Sequence, residues 1–162
     1  MTLKRLSFSF AFVLLAGIGM VAQNYEIILV GNAPRNLLES DLFFPWYSAG
    51  YKTYSPDAAT IDQLKKMVGR YKLLVFAGTW CGDTKRELPR FFKVIDSAGI
   101  PAEDIQLIFV DRNKKSKDNL PEEFKIQSIP TFVLLAEEKE VGRIVESTKE
   151  SIEKDLAAFL PK

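Results

Sequence analysis

Trp80-Cys81-Gly82-Asp83-Thr84 holds the only cysteine of a 162-residue chain. The apolar run Leu73-Leu74-Val75-Phe76-Ala77 precedes it, and Leu88, Phe91, Phe92, Ile95 and Ala98 follow at spacings of three and four. The run predicts a buried strand over Tyr71 to Ala77, and the spacing predicts an amphipathic helix ended by Gly99 and Pro101. A thiol at such a strand-to-helix turn faces unpaired backbone N–H groups and the positive end of the helix dipole. Both favour the thiolate, the form that reacts.

Outward from this stretch the pattern stays regular. On the N-terminal side Ser55 can cap a helix whose first position is Pro56, with Ile61, Leu64 and Val68 on one face and Gly69 at its end. On the C-terminal side Ile105 to Val110 reads as a second buried strand, followed by the polar run Asp111 to Lys117 and a short helix over Asp118 to Lys125 with Leu120 and Phe124 inward. Thr131 to Ala136 is a third strand. A charged turn leads into a fourth, Glu140 to Glu146, where Gly142 marks a bulge or a close approach. Ser147 and Glu150 form a capping box for a last helix that buries Ile152, Leu156, Phe159 and Leu160 before Pro161. The order from residue 57 is helix, strand, helix, strand, helix, strand, strand, helix. That is an α/β fold with a mixed sheet flanked by helices on both faces.

The N-terminal third falls into two parts. Residues 1–22 carry Lys4 and Arg5, an apolar run from Phe10 to Ala16 and small residues up to Ala22, the pattern of a secretory signal peptide cleaved after Ala22. The alternative is a retained anchor over Leu6 to Ala22, near the lower length limit for a span. No cysteine adjoins the cleavage region, so no lipoprotein anchor is expected. Residues 23–56 form an N-terminal extension, and 57–162 the main domain. The extension opens with Tyr25 to Val30 as a strand or extended lead-in that Gly31 to Pro34 break. A short helix is expected over Asn36 to Phe44, with Leu37, Leu38, Leu42 and Phe43 on one side and Pro45 as its stop. Phe43, Phe44, Trp46, Tyr47, Tyr51 and Tyr54 then form either a satellite core or an exposed binding surface.

Composition narrows the function classes. Net charge is +1, and loss of residues 1–22 leaves 20 basic and 21 acidic residues, a net −1. Neither value, in the absence of a dense basic cluster, supports nucleic-acid binding. One thiol and no histidine make a poor donor set for zinc or copper, so neither a metal nor a cofactor is expected. Export places the chain outside the cytoplasm, with the bacterial periplasm as the expected compartment. A single cysteine cannot form an internal disulfide there.

The element order, with an aromatic-Cys-Gly-x-x motif after the first long strand, resembles the thioredoxin-like fold. Two prolines strengthen the likeness. Pro89 lies five positions after Thr84, where that family kinks its active-site helix, and Ile126-Gln127-Ser128-Ile129-Pro130-Thr131 resembles its cis-proline segment. Taken singly, Pro89 could be only a helix kink and Pro130 only the start of a strand. The match covers about residues 57–160.

The resemblance implies that Cys81 is the attacking thiol and Trp80 a flat wall beside it. It further implies that the backbone around Ile129-Pro130 is an edge for an extended substrate, with Gly82 and Asp83 completing the contact set. Two departures qualify this. Thr84 stands where a dithiol enzyme has its second cysteine, and Val75 where the family buries an acid. From the first helical turn the Thr84 hydroxyl could donate to the Cys81 thiolate, supporting it as a catalytic partner. Asp83 opposes the thiolate charge, whereas Lys85 and Arg86 could favour it or point to solvent.

Two functions follow. In the first, Cys81 is a monothiol exchanger acting on a disulfide-containing protein or a small-thiol adduct, with an external thiol reductant as resolver. In the second, the fold is a redox-inactive module that binds a peptide or partner through the Pro130 groove and the aromatics of 43–54.

Overall fold

Tyr71–Ala77 (β2) occupies the middle of the sheet because its last five residues are buried on both faces. It pairs in parallel with Ile105–Phe109 (β3) and antiparallel with Thr131–Ala136 (β4), placing Val75 between Leu107 and Phe132. Lys139–Val145 (β5) extends the sheet beyond β4, and the two-residue strand Gly31–Asn32 (β1) extends it beyond β3, giving the order β1-β3-β2-β4-β5. This computed structural model describes residues 26–161, so the leader read at 1–22 lies outside the described residues.

The strand alternation sorts the core into two clusters. Leu73, Val75 and Ala77 join side chains from Pro45–Thr53 (α1), Ala58–Leu64 (α2), Gly82–Ala98 (α3) and Ile152–Ala157 (α5). Leu74 and Phe76 join Ile108, Ile129 and Val133, with Leu120 and Phe124 at the short helix Leu120–Glu123 (α4) packed against them. Helices therefore cover both faces of a mixed sheet, as the sequence order implies. No described helix is long and apolar enough to cross a membrane.

Local chemistry moves several expected boundaries. Among the described residues, 26–30 carry no strand pairing, and it is Gly31–Asn32, expected as a break, that pairs antiparallel with β3. The helix expected over Asn36 to Phe44 is a 3-10 turn at Arg35–Glu39, and of its apolar residues only Leu38 and Phe44 are buried. Leu37, Leu42 and Phe43 face solvent. Pro45 does not stop a helix but begins α1, since its missing N–H costs nothing at a first helical position. Asp57, not Ser55, caps α2 by accepting from Thr60 N–H at 2.8 Å, and Val68 lies outside that helix and is exposed. The helix expected over Asp118 to Lys125 shortens to α4. Ser151 rather than Ser147 caps α5, accepting from Lys154 N–H.

Gly142 lies beside a bulge and at a close approach. The register slips between Leu134, opposite Gly142, and Leu135, opposite Glu140, leaving Val141 as the bulged residue. A Cβ on Gly142 would lie 2.3 Å from the Phe159 ring, so the turn after α5 packs directly on the strand backbone.

The aromatics of the extension are mostly a core, not a surface. Tyr47 is buried against Phe92 of α3, and Phe44, Trp46, Tyr51 and Tyr54 pack around it, with Phe43 left outside. Arg35 locks this layer onto α3. Its guanidinium donates to both oxygens of Asp96 at 2.7 Å and to the Tyr47 hydroxyl at 2.6 Å, and lies 4.7 Å from the Phe92 ring centroid. Paired, stacked and forked in this way, an arginine contributes packing as well as charge.

Candidate functional site

β2 ends in a tight loop, Gly78-Thr79-Trp80, that delivers Cys81 to the start of α3. Cys81 N–H donates to the Gly78 carbonyl at 2.9 Å, and the Cys81 carbonyl accepts from Lys85 N–H at 3.0 Å, so Cys81 is the N-cap residue with extended backbone angles. Its side chain does not cap the helix. The thiol instead donates to the Ile129 carbonyl oxygen, with Sγ 3.4 Å away, and the residue is half-buried. The Ile129–Pro130 peptide is cis. Ile129 and Pro130 are buried, and the Pro130 carbonyl accepts from Glu146 N–H at 2.7 Å, which ties this segment to the end of β5.

Trp80 stands beside the thiol, half-buried, with its indole N–H donating to the Val110 carbonyl at 3.0 Å. The Arg112 guanidinium covers the ring at 5.3 Å from its centroid. Gly78 makes the closeness possible. A Cβ there would lie 2.7 Å from Ile129 Cδ1 and 2.8 Å from Trp80 Nε1, so only a glycine lets both walls of the site meet the loop.

The structure thus brings Trp80, Cys81, Ile129 and Pro130 together and places the other candidates differently. Gly82 is exposed, with open space around it. Asp83 pairs with Arg86 at 2.7 Å, and Arg86 also pairs with buried Glu87 at 2.6 Å, contacts that raise the Arg86 pKa through hydrogen bonds to Glu87 and then Asp83. Lys85 points to Glu26 at 3.6 Å. These first-turn charges are engaged with one another or with the extension.

Thr84 is fully buried, and its Oγ1 accepts from Gly78 N–H at 3.3 Å; among the described residues no hydrogen bond joins it to Cys81. Helix geometry turns its side chain under the loop, where an otherwise orphaned N–H needs an acceptor. Val75 is also fully buried, so the strand directly beneath the loop is apolar. Among the described residues no group of histidine, cysteine or carboxylate side chains could hold a metal.

Sequence reasoning did not single out Gly78, Thr79, Val110 or Arg112. Gly78 carried a signal, a glycine between a buried strand and a tryptophan. The other three depend on contacts at sequence separations of 30 or more, as for Trp80 with Val110, and left no local mark.

A family profile described as thioredoxin matches residues 46–156. Thioredoxin H2-2 of Oryza sativa subsp. japonica is 34% identical over 91 residues, 55% of this chain and 63% of that protein. The chain therefore spans less than two thirds of that relative's length. A thioredoxin of Malassezia sympodialis is 32% identical over 90 residues, covering 54% of this chain and 81% of its own. Among solved structures, the thioredoxin NaTrxh of Nicotiana alata is 28% identical with a TM-score of 0.40, covering 62% of this chain and 82% of its own.

Proposed function

Because the chain belongs to the thioredoxin family, whose fold is associated with thiol–disulfide redox chemistry, we propose that it acts as a monothiol exchanger through Cys81. One observation carries this reading: Cys81 Sγ lies at the N-terminus of a 17-residue helix, 3.4 Å from the Ile129 backbone oxygen. That geometry puts a half-exposed sulfur beside a short stretch of backbone able to align an extended peptide.

The Cys81 thiolate attacks one sulfur of a substrate disulfide. The new Cys81–sulfur bond forms as the old S–S bond breaks, and the other sulfur leaves with the electron pair and takes up a proton. Thr84 supplies no sulfur to reverse this. A thiolate from outside, or from the substrate itself, then attacks the substrate sulfur of the mixed disulfide and releases Cys81 as its thiolate. The reaction thus transfers a disulfide without net oxidation of the protein. The substrate class is a disulfide-containing protein or a small-thiol adduct, and residues 1–22 support a location outside the cytoplasm, the bacterial periplasm in particular.

The test is to load Cys81 with a small-thiol mixed disulfide and follow its release by intact mass. Release is expected only when free thiol is added, and Cys81→Ser should not load. An unloaded wild-type protein under every disulfide tried would refute exchange.

A second reading, a peptide-binding module with an inert cysteine, is favoured by the buried Val75 and the engaged Thr84 beneath the loop. It requires that Cys81→Ser retain peptide affinity. Loss of binding in that variant removes it.

A further inference from the structure

We infer that residues 26–29 form a strap that positions the Cys81 loop, with Thr79 and Glu26 as its positioning residues. The inference rests on the exchange reading for what the loop does, but its geometry stands apart from it. Thr79 directly precedes Trp80 and is buried, and its hydroxyl has both partners in the strap: it donates to the Ile27 carbonyl at 2.6 Å and accepts from Leu29 N–H at 3.2 Å. One side chain of the loop thereby satisfies two backbone groups of a segment that has no strand partner at those positions.

Glu26 fastens the same strap to both sides of the thiol. One carboxylate oxygen faces Lys85 Nζ, on the first turn of α3, at 3.6 Å, and the other pairs with Arg112, the cation that lies over Trp80. The far end is held by the sheet, where Gly31 and Asn32 pair with Phe109 and Ile108 and the Ala33 N–H donates to the Leu107 carbonyl at 3.1 Å. The strap thus runs from the sheet edge across the back of the loop. It touches the residue before Trp80, the cation above Trp80 and the helix turn after Cys81. A loop that sets the approach of a sulfur to a disulfide gains rate from being held still, because small misplacements of a reacting atom are costly.

The test uses the full chain with Thr79→Val, Thr79→Ser and Glu26→Gln. Three quantities are read: the rate of Cys81 alkylation by iodoacetamide under native conditions, kcat and KM for release of a small-thiol adduct, and the thermal midpoint. Thr79→Val keeps the shape and removes both hydrogen bonds. It is expected to raise the alkylation rate about threefold as Sγ leaves the Ile129 carbonyl, and to lower kcat about tenfold with KM little changed. Thr79→Ser should restore both values. Glu26→Gln, at an exposed side chain, should shift them in the same directions by about half as much on a logarithmic scale.

Wild-type alkylation and kcat in folded Thr79→Val would overturn the inference, as would a Thr79→Ser variant as impaired as Thr79→Val. If Thr79→Val does not fold, Glu26→Gln decides, and unchanged rates there overturn it. Should the wild-type protein show no exchange at all, the exchange reading fails while the alkylation rates still decide the strap.

Discussion

Thr84 places a hydroxyl and a methyl where a dithiol site carries a sulfur, and its burial says what a sulfur there would do. Thr84→Cys is expected to release a mixed disulfide on Cys81 without added thiol, because the new sulfur sits one helical turn away. The same change removes the oxygen that accepts from Gly78 N–H, at an expected cost of about 1 kcal/mol. Intact mass of the loaded variant in thiol-free buffer checks the first point, since a persistent adduct would contradict it, and urea denaturation checks the second. Gly78 is the other sensitive position. Gly78→Ala drives a methyl into Ile129 Cδ1 and the Trp80 indole, and should destabilise the protein by about 1–3 kcal/mol while slowing exchange. A variant with wild-type stability and rate would mean that the two walls can separate freely.

Between elements, a tight seam runs where α1 meets α3. Gly50 faces Pro89, and a Cβ there would lie 2.6 Å from Pro89 Cγ, an atom of a rigid ring inside a helix. Gly50→Ala is therefore expected to cost about 1–3 kcal/mol, read as a lower denaturation midpoint; an unchanged midpoint would place slack in that seam. The proline expected to kink the active-site helix is thus also the surface on which the extension docks. That pairing illustrates what the sequence could and could not disclose. β2, α3, β3, β4 and β5 were legible because their periods and terminating glycines are local. So were Cys81, Trp80 and Pro130, because their spacing is. α1 was hidden because Pro45 is equally a stop or a start, and Asp57 and Ser151 took the caps from Ser55 and Ser147 because the choice depends on where tertiary packing begins the helix. Spacing placed Thr84 near Cys81 for a related reason, but could not show that its hydroxyl oxygen accepts from Gly78 N–H.

At the scale of the whole molecule, the Arg35–Asp96 fork joins the extension to the domain that carries the site. Burial pushes the Asp96 carboxyl up, but hydrogen bonds from Arg35 and Tyr51 outweigh it and hold the group below the usual carboxylate range. Such a carboxylate stabilises the fold above its unfolded pKa, about 3.9, and that contribution is lost as the pH falls through the depressed folded value. Asp96→Asn should therefore lower stability by about 1–2 kcal/mol at pH 7 and by clearly less near pH 2. Urea titrations at the two pH values test this, and an equal loss at both would assign the effect to packing instead. The opposite rim of the sheet carries a different consequence. Among the described residues β5 is an unpaired edge, yet Val141 bulges out of its register and Arg143 folds back onto Glu140 and the Phe124 carbonyl. A broken, charged rim offers no straight ladder for a second chain, so the fold carries its own guard against edge-to-edge fibre growth.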